Sequence, residues 1–226
     1  MMDGILIVDK PSGMTSHDVV DFIRRAFAIK KVGHAGTLDP MATGVLVILL
    51  GRFTKEFARL HADEKEYRAT MVLGAVSDTG DRDGRIVPSG VRLEFSRATV
   101  DMVFRQFTGE ITQIPPMYSA VKVRGKKMYE LARKGIEVDR PPRTVIIKKL
   151  TIADFRIPRI TFDVVCSKGT YIRQLCHDIG ERLGCGAYID ALRRVRSGAF
   201  MIERAVSFGR LKSMKCSDFD AIVVRP

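Results

Sequence analysis

No stretch of this chain stays apolar for more than six residues, far short of the roughly 20 that cross a bilayer as a helix. The first ten residues, MMDGILIVDK, lack a basic segment followed by an apolar one and a small-residue cleavage site, so no export signal is visible. Cysteine is scarce. Cys166, Cys176, Cys185 and Cys216 show no C-x-x-C spacing, and without a secretory signal they read as free thiols and packing residues. His17, His34, His61 and His177 fall in no H-E-x-x-H or comparable ligand pattern, so no structural metal is expected. Asp81-Arg82-Asp83-Gly84 begins like a calcium loop. In an EF-hand alignment, however, Gly90 stands where the bidentate glutamate belongs, and a hairpin turn at Asp83-Gly84 is the better reading. No repeat, low-complexity tract or long Ser/Gly linker divides the sequence. One domain, in the cytoplasm and without a membrane partner, is the expectation.

Acid is also in deficit. Twenty-six Asp and Glu face 38 Lys and Arg, a formal charge of +12, which favours a polyanionic partner and is the electrostatic footprint of nucleic-acid binding. The excess is uneven: residues 122–149 hold ten basic and three acidic side chains, a surplus of seven in 28 positions. A solvated face is the usual meaning of a charge run; this concentration favours RNA contact. With 46% hydrophobic and 28% charged residues, the chain has the composition of a folded protein rather than a disordered one.

Periodicity supplies the elements. Residues 5–9 read as a short strand, and the run 45–50, bounded by Gly44 and Gly51, as a buried strand. Thr15 and Asp18 form a capping box for a helix carrying Val19, Val20, Ile23 and Phe27. A short helix is expected over 54–61 and a strand over 67–75. Ser96 caps a helix presenting Val100, Val103, Phe104 and Phe107. Residues 120–123 read as a strand and 126–134 as a helix ended by Gly135. Strands follow over 144–155 and 160–165, then a helix with the stripe Ile172, Leu175, Cys176, Ile179 and Leu183, stopped by Gly184. Residues 188–200 are extended. Strands outnumber helices without strict alternation, which predicts an α+β fold with a mixed, mainly antiparallel sheet flanked by helices.

Chemistry concentrates in Gly33-His34-Ala35-Gly36-Thr37-Leu38-Asp39-Pro40. Two glycines permit tight turns, and Pro40 pushes Asp39 out of helical geometry. The outcome is one carboxylate on a stiff loop that feeds a core strand. Such a mount suits a reactive group; it equally suits a surface turn whose aspartate bonds local backbone.

The segment 34–44, HAGTLDPMATG, resembles the signature loop of the bacterial TruB-type tRNA pseudouridine synthases. Further landmarks of that family follow in order: ILIVDKPSG (5–13), KEYRA (65–69), SDTGDRDG (77–84), IPPMYSA (114–120), GKKMYELARKGI (125–136), SKGTYIR (167–173) and LGCGA with LRR (183–187, 192–194). The resemblance implies a pseudouridine synthase fold with a central cleft and isomerisation of uridine 55 in the T loop of tRNA. No cofactor or metal is demanded, because no redox change occurs and no group is lost. It implies Asp39 as nucleophile, Arg173 as its ion-pair partner, and Tyr67 stacking on uracil and helping to remove the C5 proton. Tyr171 and Leu192 would line the uracil pocket. His34 would stack where the base has been turned out, offsetting part of an extrusion cost of roughly a few kcal/mol. Residues 122–143 would be a basic insertion gripping the T stem and loop through Lys122, Arg124, Lys126, Lys127, Arg133 and Lys134. The family's small C-terminal RNA-binding module, the PUA domain, is not expected here. The chain is expected to act as a monomer with no protein partner. Two other readings stay open: an RNA-binding module without chemistry, and the guide-dependent relative that works inside an RNA–protein complex.

Overall fold

The computed structural model describes residues 2–58, 64–117, 122–123, 126–128 and 138–225. Contacts divide the chain into two compact units, 1–67 with 192–226 and 68–191.

The first unit is built on β3 (Thr43–Leu50), whose sequence TGVLVILL is buried along all but its first residue. Near-continuous burial requires neighbours on both edges and cover on both faces. One edge carries β1 (Gly4–Lys10), antiparallel from Gly4 opposite Leu50 to Lys10 opposite Gly44. The other edge carries β2 (Val32–His34), antiparallel, and the end of β12 (Ala187–Ser197), parallel with Arg193 opposite Thr43. β14 (Val206–Ser207) adds in parallel outside β1, and β13 (Phe200–Met201) folds back antiparallel on β12. Ile5, Ile7, Ala35, Val45, Val47 and Leu49 form one core cluster, closed by Phe53, Phe200, Ile202 and Ala205.

Helix α1 (Ser16–Ala26) starts with the expected capping box: Asp18 N–H donates to Thr15 Oγ1 at 3.1 Å and Thr15 N–H to Asp18 Oδ2 at 2.7 Å. The bond from the Thr15 backbone holds the Asp18 carboxyl below the ordinary carboxylate range. Val19, Val20 and Ile23 are its buried stripe. The expected helix over 54–61 begins earlier, as a 3-10 turn at Gly51–Glu56; residues 59–61 lie outside the described part. After Ala205, where no element was expected, come α4 (Phe208–Ser213) and α5 (Cys216–Phe219). Aromatic contacts hold them to α1: Phe208 packs edge-on to Phe22 at 4.9 Å, and Phe219 stacks on Phe27 at 3.9 Å between centroids.

The second unit has strands in the order β4 (Lys65–Leu73), β11 (Arg159–Cys166), β10 (Arg143–Arg156) and β7 (Gly109–Gln113), with β11 and β7 antiparallel to β10. The chain passes between units inside β4, after Tyr67, and inside β12, before Leu192. β5 (Ala75–Ser77) and β6 (Ile86–Pro88) form the expected hairpin, but across an eight-residue loop, 78–85, rather than a tight two-residue turn. Helix α2 (Arg97–Gln106) is capped by Ser96, and α3 (Ile172–Arg182) ends before Gly184 at φ +73°. Another expectation also fails where it can be read. Residues 126–127 are not the start of a helix but strand β9 (Lys126–Lys127), paired antiparallel with β8 (Lys122–Val123). Two adjacent lysines have no apolar stripe to bury, so backbone pairing decides their conformation. Residues 124, 129–134 and 135 lie outside the described part. Mainly antiparallel strands with flanking helices give the α+β class expected from the sequence.

Candidate active site

The loop carrying Asp39 is held by its backbone carbonyls, one after another. Gly36 O accepts from Arg194 Nη2 at 3.0 Å and Thr37 O from Arg194 Nη1 at 3.4 Å. Leu38 O accepts from Ser16 Oγ at 3.2 Å, and the same hydroxyl takes the Leu38 N–H at 2.8 Å. Asp39 O accepts from Ala42 N–H at 3.1 Å, and Pro40 O from Gly13 N–H at 2.9 Å and from Lys10 Nζ at 3.2 Å. Five consecutive carbonyls therefore have donors, and the partly buried Asp39 side chain departs from a backbone fixed on both sides.

Two of the donors are fully buried cations, and both lie on strands that pair with β3. Lys10 is 0% exposed; besides Pro40 O it donates to Pro11 O at 2.8 Å and Met14 O at 2.6 Å. Three carbonyls thus match the three protons of an ammonium. Burial pushes Lys10 down to about 8, while the Asp39 carboxylate pulls the other way. Arg194, 1% exposed, adds a 2.7 Å bond from Nε to Val45 O. Where Arg194 passes β3, only glycine fits: a Cβ on Gly44, at φ +100°, would sit 2.2 Å from Arg194 O. Beside them Arg193 makes a two-pronged pair with Asp9, at 3.0 and 2.8 Å, and reaches Thr43 Oγ1 at 3.4 Å.

Lys10, Ser16 and Arg194 were not among the sequence candidates. Period two does point to the two cations: Lys10 follows Leu6 and Val8 on one face of β1, and Arg194 follows Leu192 on one face of β12. Both faces are buried. A basic residue in phase with a buried apolar row is the readable signal.

Of the candidates themselves, His34, Asp39, Tyr67 and Leu192 belong to the first unit. His34 ends β2 opposite Ile48, Tyr67 is 8% exposed, and Leu192, 7% exposed, gives its carbonyl to Thr43 Oγ1 at 3.4 Å. Tyr171 and Arg173 belong to the second unit, at the start of α3. Arg173 is 4% exposed despite its place in the first turn of a helix. Its Nη1 donates to Thr79 O at 2.9 Å and lies 3.9 Å from Asp81 Oδ2. Asp81 is itself oriented, its Oδ1 accepting from Thr79 Oγ1 at 2.7 Å and Asp83 N–H at 3.1 Å. The segment that opens like a calcium loop thus presents a buried carboxylate to a buried guanidinium. Among the described residues no cluster of three or more His, Cys, Asp or Glu gathers as metal ligands. Of the basic candidates, Lys122, Lys126 and Lys127 are placed only by the β8–β9 pairing; Arg124, Arg133 and Lys134 lie outside the described residues.

The comparisons with known proteins match the segments that carry the Asp39 loop and Arg173. Residues 24–172 match the model of the TruB family pseudouridylate synthase N-terminal domain, and 173–221 that of the tRNA pseudouridylate synthase B C-terminal domain. The chain belongs to the TruB family of pseudouridylate synthases. Its TruB relatives include a tRNA pseudouridine synthase B of Syntrophotalea carbinolica, 51% identical over 96% of this chain and 71% of that protein. Another, from Chlamydia abortus, is 46% identical over 97% of this chain and 92% of that protein. Among solved structures, a Cbf5–Nop10–Gar1 complex is similar with a TM-score of 0.76 and 31% identity over 98% of this chain. An H/ACA RNP bound to a substrate RNA containing 2'-deoxyuridine gives a TM-score of 0.70 at 28% identity over 99%. This chain spans 59% of each of those two matched chains. No described helix is long and apolar enough to cross a membrane.

Proposed function

We propose that this chain is a tRNA pseudouridine synthase that isomerises uridine 55 of the T loop. The observation that carries the reading is the loop around Asp39, whose five carbonyls are pinned by Arg194, Ser16, Lys10 and backbone in a chain about half identical to proteins of that name. Asp39 is the nucleophile. It bonds transiently to the nucleotide while the glycosidic C–N bond breaks, the uracil turns, and C5 joins C1′. The C5 proton leaves and the freed ring nitrogen gains one, so the product is an isomer of the substrate. Arg173 steadies the carboxylate in its charged form. Tyr67 stacks on the uracil and helps remove the C5 proton, Tyr171 and Leu192 wall the base in, and His34 occupies the stack that the base has left. The basic segment with Lys122, Arg124, Lys126, Lys127, Arg133 and Lys134 grips phosphates of the T stem and loop, which positions the RNA without reading it. The enzyme acts in the cytoplasm as a monomer, without guide RNA or protein partner.

The deciding assay incubates the purified chain with unmodified tRNA and buffer alone, followed by mapping of pseudouridine. Product at position 55 is the expected result. Product only after a guide RNA or partner protein is added would shift the reading to the guide-dependent relative; tight binding with no product at all would leave an RNA-binding module.

Arg173→Lys is expected to lose most of this activity, on the order of 10²-fold. A lysine supplies one point charge where the fork reaches Thr79 O and faces Asp81. Single-turnover kinetics on a variant of unchanged circular dichroism is the check; near-normal turnover would remove Arg173 from the machinery.

A further inference from the structure

We propose that Gln113 is a positioning residue that aims Tyr171 at the base, a role resting on the synthase reading above. Tyr171 occupies the N-cap of α3, and its side chain makes no capping bond. That is a poor choice for the position, where Ser, Thr, Asp or Asn contribute about 1 kcal/mol over residues that cannot cap. What fixes Tyr171 comes from another strand. Gln113, the last residue of β7 and 2% exposed, donates from Nε2 to Tyr171 O at 3.2 Å and accepts the Tyr171 N–H on Oε1 at 3.0 Å.

A capping side chain would accept from the second or third N–H of the helix, satisfying one of its orphan donors. Gln113 does something else. It grips both peptide groups of one residue, so the backbone on each side of the Tyr171 Cα is set, at φ −102° and ψ 108°, and with it the direction of the Cα–Cβ bond. A buried carboxamide is costly unless both its ends are bonded, and here a single residue satisfies both. The preceding loop is gripped at its other end by β10: Ser167 N–H donates to Ile146 O and Ile146 N–H to Ser167 Oγ, both at 2.9 Å. β7 and β10 are themselves one ladder, from Arg143 opposite Gln113 to Ile147 opposite Gly109. The aromatic residue at the helix start is therefore freed from capping and held by its main chain, the arrangement expected when its ring has work to do.

The test measures single-turnover pseudouridine formation on a T stem-loop RNA at saturating protein, together with RNA affinity. Gln113→Met keeps length and volume and removes both bonds; its rate is expected to fall about 10- to 100-fold with RNA affinity unchanged. Combined with Tyr171→Ala, it should cost nothing beyond Tyr171→Ala alone, since a residue acting through Tyr171 has nothing left to aim. Gln113→Glu decides the case if the methionine variant does not fold: the carboxylate cannot donate to Tyr171 O, whereas the protonated acid can. Its rate relative to wild type at each pH should therefore rise as pH is lowered toward about 6, a buried carboxyl being protonated well above its ordinary range. A wild-type rate in folded Gln113→Met, losses that multiply in the double variant, or a flat pH ratio for Gln113→Glu would each overturn the inference. A wild type that makes no pseudouridine would instead overturn the synthase reading, and this inference with it.

Discussion

Asp39→Asn is expected to abolish pseudouridine formation, by on the order of 10⁴-fold or more, while binding tRNA and melting much as the wild type does. The substitution is isosteric and leaves the loop's main-chain attachments alone. The carbonyl bonds described above are made by main-chain atoms of residues 36–40: Arg194 on Gly36 and Thr37, Ser16 on Leu38, Ala42 on Asp39, and Gly13 with Lys10 on Pro40. None requires the carboxylate. What disappears, on the proposed mechanism, is the attacking negative oxygen, since a neutral amide is a far weaker nucleophile. Pseudouridine mapping after overnight incubation, beside a binding isotherm for the same RNA, separates the two quantities. Turnover within tenfold of wild type, a loss of no more than about 1.4 kcal/mol, would assign the nucleophile elsewhere.

The second large effect concerns Lys10. Lys10→Met takes a donor from three part-buried carbonyls, Pro11, Met14 and Pro40, of which Pro40 O keeps the Gly13 N–H, and is expected to cost about 2 kcal/mol of stability. It should also slow the chemical step about 10²-fold through the loosened loop. The wild type carries a pH signature of the same residue. Its ammonium titrates at about 8 against an ordinary 10.5 because burial disfavours the charge. Above about pH 8 the neutral amine has two protons for three carbonyls and no longer offers a positive charge to Asp39, so activity should fall. Stability moves the other way. Between about 8 and 10.5 the unfolded lysine still holds its proton while the folded one has shed it; the unfolded state binds more protons, so this group's contribution to stability rises with pH. Rate profiles and denaturant titrations at matched pH values check both limbs, and Lys10→Met should show neither. An activity profile that keeps the same alkaline limb in Lys10→Met would assign that limb to another group.

Much of the chain's local structure can be read without coordinates, for identifiable reasons. Thr15 and Asp18 cap a helix because their groups reach only three residues. The run 45–50 is a strand because six apolar residues between glycines are too few for a buried helix. Ser96, Gly184 and the stripe from Ile172 to Leu183 obey the same short-range logic. Where that logic fails, the missing term is pairing. Lys126 and Lys127 sit in a segment of helical composition yet join Lys122 and Val123 as a two-stranded ribbon. The aromatic residues after Ala205 show no period of their own; Phe208 and Phe219 become ordered by stacking against Phe22 and Phe27. Apart from the family resemblance nothing local marks Arg173, near the start of a helix, as buried; the fold packs it against the Thr79–Asp81 turn.

By itself the amino-acid sequence determined the capped helices, the buried central strand, the cationic surplus, and an aspartate between turn-forming residues on the approach to a core strand. These follow from backbone preferences and periods that act over a few positions. It could not state what holds that aspartate still. The donors arrive from Lys10, 30 positions before Pro40, and from Arg194, 158 after Gly36, and Gln113 reaches Tyr171 across 58. Which buried donor meets which carbonyl depends on the register of strands far apart in the chain, and that is set only when the sheet assembles.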